Sequence, residues 1–321
     1  MNIKRFIKIC KMSQDEVKKY ATKRLNTTHG VYMEDGFVYA KGTFPVLLVA
    51  HMDTVHKKRV HNVIRKNGSI SSPQGIGGDD RCGIYMVLEI AKHWNCHVLF
   101  CEDEEIGGVG ANKFVKSKHA KSLDVNYIVE LDRRGSTDAV FYDCDNQAFT
   151  DFVCKEYFKE AWGTFSDISV IAPSVGVSAV NLSSGYHNAH TEAEYVVEKE
   201  VDRIIEEVEK LLDRTDNSRY EYVERKVDYS RYYDYDKWYS RDFYYGYTGY
   251  TGNNANSKTD AEDEENYFEI EYMCEDGQTG YEYVEATSRE QAEYEFLVYN
   301  PTIPYGYIID VRNYGKVGAW K

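Results

Sequence analysis

Pro45-Val46-Leu47-Leu48-Val49-Ala50-His51-Met52-Asp53-Thr54-Val55 is the stretch on which the fold turns. Its first six residues carry no charge and no side-chain hydrogen-bonding group. A run of that length suits a strand and is too short for a helix, and its lack of alternation predicts burial on both faces. Strands of this kind belong to parallel sheets covered by helices. Similar runs follow at 97–101 and 125–131, with shorter ones at 139–142 and 179–182. Between them, helical spacing marks 83–93, 110–117, 147–160 and a long amphipathic stretch at 197–213. Ser13-Gln14-Asp15-Glu16 reads as a capping box opening a helix. Asp35-Gly36 and Asn67-Gly68 are hairpin turns, the first between strands at 29–33 and 37–41. Alternation of strand and helix predicts an α/β fold over residues 1–214, a three-layer sandwich with a mostly parallel central sheet.

Outward from that region the character of the chain changes. Of its 321 residues and 29 tyrosines, residues 215–321 hold 20 of the tyrosines and a net charge of -11 out of -14. Residues 215–265 read as a Tyr-rich, acidic connector, ending in a polar stretch from Thr251 to Glu265. Residues 266–321 read as a small α+β module of ββαβ order. Its hairpin (267–274 and 281–286) turns at Asp276-Gly277, a helix runs from Thr287 to about Tyr299, and a last strand spans 305–311. So acidic a chain is a poor bulk partner for nucleic acid, whose phosphates need Lys and Arg. The tyrosine tract is expected to pack or to meet a protein partner, or to support self-association through the C-terminal region. Seven scattered cysteines without a CxxC pair point to reduced thiols in a cytoplasmic protein. No apolar run approaches a membrane span, so no membrane partner is expected.

Five segments place ionisable residues just beyond a strand end or at a helix start, where ligands bind in open α/β sheets. They are His51-Met52-Asp53, Gly77-Gly78-Asp79-Asp80-Arg81, Glu102-Asp103-Glu104-Glu105, Asp132, and His187-Asn188-Ala189-His190. Imidazole and carboxylate donors suit zinc, cobalt or manganese, and no thiolate motif competes. Residues two apart share a face at a strand end, so Asp53 could accept the second N–H of a ligating His51. Asp79 could bridge two cations, with His51 and Asp132 completing one site and Glu105 and His190 the other. Glu104 is then the spare carboxylate, in the role of general base. Asp80 is the alternative bridge or a helix cap, and His187 the alternative last histidine. Arg133 and Arg134 are candidates for a substrate carboxylate, and Tyr186 and Asp167 for pocket residues.

His51-Met-Asp-Thr-Val, Gly78-Asp79-Asp80-Arg81-Cys82-Gly83, Glu104-Glu105-Ile-Gly and the late His190-Thr191 together resemble the co-catalytic di-zinc metallopeptidases. That superfamily includes zinc aminopeptidases, peptidase T-like tripeptidases, glutamate carboxypeptidases and aminoacylases. The intervals run in the same order: 26 residues from Asp53 to Asp79, 25 on to Glu104, and 27 from Glu105 to Asp132. The resemblance implies His51, Asp79, Glu105, Asp132 and His190 as ligands of two divalent ions, with Asp79 between them. It implies Glu104 as base and Asp53 as the residue that orients His51. Carboxypeptidase and aminoacylase members usually insert a dimerisation domain before the last histidine. Only 58 residues separate Asp132 from His190, which points to the lidless aminopeptidase branch. The expected reaction is hydrolysis of an amide bond in a peptide. The alternatives are a deacylase acting on an N-acyl amino acid or other amide, and a binding or scaffold protein with a vestigial site.

Overall fold

Residues 1–161, 163, 165–225, 266–273, 279–286, 292, 296 and 308–316 are described by a computed structural model, which divides into two units, Met1–Glu224 and Arg225–Lys321. In chain order the first unit contains α1 (Ile3–Cys10), α2 (Gln14–Leu25), β1 (Gly30–Glu34), β2 (Phe37–Lys41), β3 (Phe44–His51), β4 (Ile64–Lys66) and β5 (Ser69–Ser71). It continues with α3 (Gly78–Ile90), β6 (Cys96–Cys101), α4 (Val109–Lys116), α5 (Lys118–Lys121), β7 (Tyr127–Arg133), β8 (Asp138–Val140) and α6 (Gln147–Val153). The last elements are β9 (Lys159–Ala161), α7 (Asp167–Val175), β10 (Ala179–Ser183), β11 (Tyr186–His187), β12 (Tyr195–Val197) and α8 (Glu198–Asp213).

Eight strands form the main sheet in the order β1-β2-β6-β3-β7-β10-β8-β9. Its centre, β6-β3-β7-β10, is parallel, and antiparallel pairs flank it on both sides. The apolar run at 45–50 is β3, and its alternation explains the absence of polar residues. Val46, Leu48 and Ala50 enter the core shared with α1, α2, α3 and α8, while Leu47 and Val49 enter the one shared with α4, α5 and α7. All five are fully buried, each leucine contributing about 1.5–3 kcal/mol by transfer from water. Helix α3 lies close on β7: a Cβ on Gly83 would stand 2.1 Å from the Leu131 carbonyl oxygen. Only glycine fits there.

The predicted capping box holds at α2, where Glu16 N–H donates to Ser13 Oγ and Ser13 N–H donates back to Glu16 Oε2. The helix expected over 147–160 stops at Val153. Phe158 still reaches the core, but the chain has turned by then so that β9 can pair in parallel with β8. A second, four-stranded sheet, β11-β12-β5-β4, pairs Val196 with Ile70 and so sets the 188–194 loop over the 75–79 loop. From Asp132 to His190 all residues but two are described, and they lie within this one unit as β8 to β11 and their loops. Residues 215–224, which open the stretch read as a connector, also lie along it. The Tyr220 ring stacks on Phe152, and Glu221 and Glu224 form bridges with Val177 and Cys144.

In the second unit, β13 (Asn266–Met273), β14 (Thr279–Ala286) and β15 (Ile308–Lys316) form an antiparallel sheet in the order β14-β13-β15. Phe268, Ile270, Val284, Ala292, Phe296 and Val311 make its core. The last strand runs beyond the 305–311 expected of it. Ala292 and Phe296 are helical, and the rest of the expected helix and most of the connector lie outside the described residues. No helix among the described residues is long and apolar enough to cross a membrane.

Candidate active site

His51 is the last residue of β3 and is 1% exposed. Its backbone N–H donates to Asp80 Oδ2 (3.2 Å), and Asp80 Oδ1 accepts from Gly83 N–H (2.8 Å). Asp80 thus ties the start of α3 to the end of β3, leaving Asp79 to face the cleft. The His51 ring is pinned on both sides. Nδ1 lies 3.1 Å from Asp53 Oδ1, and Nε2 lies 3.0 Å from Asp79 Oδ1 and 3.2 Å from Asp132 Oδ1. With Nδ1–H given to Asp53, Nε2 can face two carboxylates only with a proton or another cation between them.

Asp53 has a second task. Its Oδ1 accepts the Glu104 N–H and its Oδ2 the Glu105 N–H, both at 3.1 Å. One carboxylate therefore sets the His51 ring and the loop after β6. Beyond that loop, His190 Nε2 stands 3.2 Å from both Asp79 Oδ2 and Glu105 Oε2. The two oxygens of Asp79 thus meet two different imidazoles. His187 is turned away, 2.7 Å from Glu200 Oε2 and stacked on Tyr195. Arg133 pairs with Asp138.

Glu194, Asn181 and Glu130 are supporting groups that carried no signal in the sequence, whereas Asp167 and Gly77 were among the candidates. Glu194 is fully buried; its Oε1 accepts Asp79 N–H (3.0 Å) and its Oε2 accepts Gly77 N–H (2.7 Å), with His56 Nε2 at 2.9 Å. Gly77 holds φ +65°, which a side chain would strain. Asn181 brackets Asp132, accepting its N–H (3.0 Å) and donating to Oδ2 (3.4 Å). Behind Glu104 lie Glu130, which accepts from Ser166 Oγ, and Asp167 at the start of α7.

Electrostatics follows from this crowding. Burial opposes a charge on His51, but Asp132, Asp53 and Asp79 outweigh it and raise its pKa well above the ordinary value. Hydrogen bonds to Asp79 and Glu105 push His190 up to about 11. Burial pushes Glu104 up to about 8, reinforced by Asp167, Glu105 and Asp79 and opposed by His51. Burial also raises Asp132. In Asp79, hydrogen bonds from His190 and His51 overcome the effect of burial and lower it.

The donor set fits divalent cations. His51, Asp79 and Asp132 each offer an atom within 4.8 Å of the others, and so do Asp79, Glu105 and His190. Glu105 Oε1 is buried without a hydrogen-bond partner, a lone pair that a cation would satisfy. Nitrogen and oxygen donors in two triads sharing one carboxylate match borderline-soft divalent ions such as zinc.

The fold is shared with solved peptidase structures. Aminopeptidase PepT from Bacillus cereus superposes with a TM-score of 0.56 at 15% identity, covering 66% of this chain and 97% of that one. A tripeptidase from Staphylococcus aureus gives 0.55 at 13% identity, with 65% and 96% covered. An aminopeptidase from Desulfurococcus kamchatkensis gives 0.51 at 13%, with 66% and 94% covered. No curated protein matches the chain in a sequence search. The peptidase family M28 model matches residues 38–212, which takes in every site residue named above and more than half the molecule, so the chain belongs to peptidase family M28.

Proposed function

We propose that the site hydrolyses the peptide bond beside a free amino terminus, using two divalent ions, zinc foremost and cobalt or manganese as chemical equivalents. His51 and Asp132 would hold one ion and Glu105 and His190 the other, with Asp79 reaching both through its two oxygens. The observation that carries this reading is the division of Asp79: Oδ1 towards His51, Oδ2 towards His190. Ions bound there would supply Lewis acidity to the scissile carbonyl and to the attacking water. Asp53 keeps His51 in the tautomer with Nδ1–H, so that Nε2 faces the shared site. Glu104 is left over after the five donors are assigned, and burial gives its carboxylate a high proton affinity. That suits a group that takes a proton from water and returns it to the leaving amine near neutral pH. The names of the structural relatives, aminopeptidases and a tripeptidase, agree with a short peptide as substrate.

The test joins metal analysis to a peptide panel. Two equivalents of metal per chain are expected, with cleavage of free-amine peptides, no cleavage of N-acylated ones, and loss of activity in Glu104→Ala with its metal retained. Full activity in Glu104→Ala, or in metal-stripped protein, would sink the mechanism. A preference for N-acylated substrates would make the enzyme a deacylase instead.

A further inference from the structure

Next to the metal-binding cluster, on the far side of Asp53, lies a cleft of about 240 Å³ that the hydrolytic reading does not use. It is too small for a whole drug-sized ligand and fits one end of an extended one. Its charge is unusual for a unit that is nearly balanced overall. His56, Lys57, Lys58 and Arg59 line it from the loop after β3, with His56 on Glu194 and Arg59 on Glu16, and Arg81 lines it from α3, with Asp53 the acidic residue among them. Arg81 is 4% exposed, yet no carboxylate among the described residues pairs with it. Its guanidinium donates to the backbone carbonyls of Met52 and Met12, the latter at 3.1 Å, and its Nε is buried without a partner. The two carboxylates that bear on it are engaged elsewhere. Asp53 holds His51 and two amides, and Asp80 accepts from His51 and Gly83. Lys57 forms no ion pair among the described residues, while Lys58 meets Glu192 at 3.4 Å with both side chains exposed.

A buried cation without a counter-ion is costly, and an arriving anion relieves it. We propose that this cleft is a subsite for a carboxylate of the substrate, held by Lys57, Lys58 and the field of Arg81. Because Asp53 both lines the cleft and orients His51, the subsite adjoins the reacting bond, and the inference rests on the hydrolytic reading above. The carboxylate could be the C-terminus of a short peptide or an acidic side chain. Both present the same oxygens to the same cations.

Equilibrium binding decides the matter without turnover. The metal-loaded full chain carrying Glu104→Gln would be titrated calorimetrically with a leucyl tripeptide, with its C-terminal amide, and with two further amides ending in Glu or Gln. Charge-assisted contacts predict about tenfold tighter binding of the charged member of a pair. Preference for the free acid over its amide assigns the subsite to the C-terminus, and preference for the Glu amide over the Gln amide assigns it to a side chain. Lys57→Ser/Lys58→Ser should reduce that ratio to near one. Lys118→Ser/Lys121→Ser on α5, outside the cleft, should leave it intact. Equal binding of charged and neutral peptides overturns the proposal, as does loss of the preference in the α5 variant, which would make it a general field effect. If the wild-type chain cleaves none of the peptides, the hydrolytic reading fails while the binding ratios still report on the cleft.

Discussion

Asp53 accepts three hydrogen bonds, one from an imidazole and two from the backbone of the loop that carries Glu104 and Glu105. Asp53→Asn keeps the shape but turns one oxygen into a donor, which opposes either the His51 tautomer or an amide. Loss of such a partner typically lowers metal affinity or activity 10–100-fold, and we expect that range, read from metal titration and kcat/KM. Glu104 permits a sharper prediction with the metal removed. Its folded pKa, about 8, lies above the ordinary 4.5, so the folded state binds the proton more tightly than the unfolded one. The contribution of Glu104 to stability is therefore full below about 4.5 and is lost as pH rises through 8. Glu104→Gln removes that loss, so the chelator-treated variant should melt several degrees above wild type at pH 8 and show no such gain at pH 4. Equal melting temperatures at pH 8 would mean that Glu104 is not held in a proton-retaining environment. At this scale the sequence was most legible where chemistry is concentrated. His51, Asp79 and Glu105 each stand in a motif with its own spacing. Glu194 was invisible, because a carboxylate within Thr-Glu-Ala-Glu looks like solvated surface until the fold buries it under the Gly77 and Asp79 amides.

Elements were legible in proportion to how fully local pattern determined them. β3, β6 and β7 are buried on both faces, so their apolar runs mark them outright. Helix α6 shows where periodicity misleads: apolar residues continue to Phe158, but strand pairing of β9 with β8 outweighs another helical turn. Helix α7 was not anticipated from the sequence, and Pro173, beyond its first turn, leaves out an N–H that a helix would otherwise use. Between elements, Glu194 joins the turn before α3 to the loop after β11. Glu194→Ala would strand two buried N–H groups, at about 1–3 kcal/mol each. We expect reduced stability by denaturant titration together with weaker metal binding, since the amide of Asp79 is one of the two. Glu194→Gln, which can still accept through one oxygen, should recover part of both losses. Stability lost without any change in metal affinity would reduce Glu194 to a purely structural anchor.

For the whole molecule, the division of labour is unequal. Every residue assigned to hydrolysis lies in the first unit, which has its own two cores, and the second unit has a separate core of six described residues. Tyrosine content and charge change after residue 214, where the last amphipathic helix ends, whereas the two units divide after Glu224. Helix periodicity cannot register residues 215–224, because tertiary contacts hold them. Tyr220 N–H donates to the Asn126 carbonyl (2.9 Å), Ser178 N–H donates to the Tyr220 carbonyl (2.8 Å), and Tyr222 N–H reaches Gly176 (3.2 Å). The Tyr220 ring also meets Tyr127, Phe149 and Phe152. A chain ending at residue 225 should therefore fold, bind metal and cleave a short peptide with kcat/KM within about threefold of full length, if catalysis needs the first unit alone. A chain ending at residue 214 exposes those rings and strands the Ser178 amide, and aromatic pairs alone contribute roughly 0.5–1.5 kcal/mol each. The shorter chain should thus unfold at a denaturant concentration lower by an amount equivalent to about 2–4 kcal/mol. Identical midpoints for the two truncations would show the 215–224 segment to be a passive start to the connector. Loss of activity in both, with the fold intact, would instead give the acidic C-terminal region a direct part in handling the substrate.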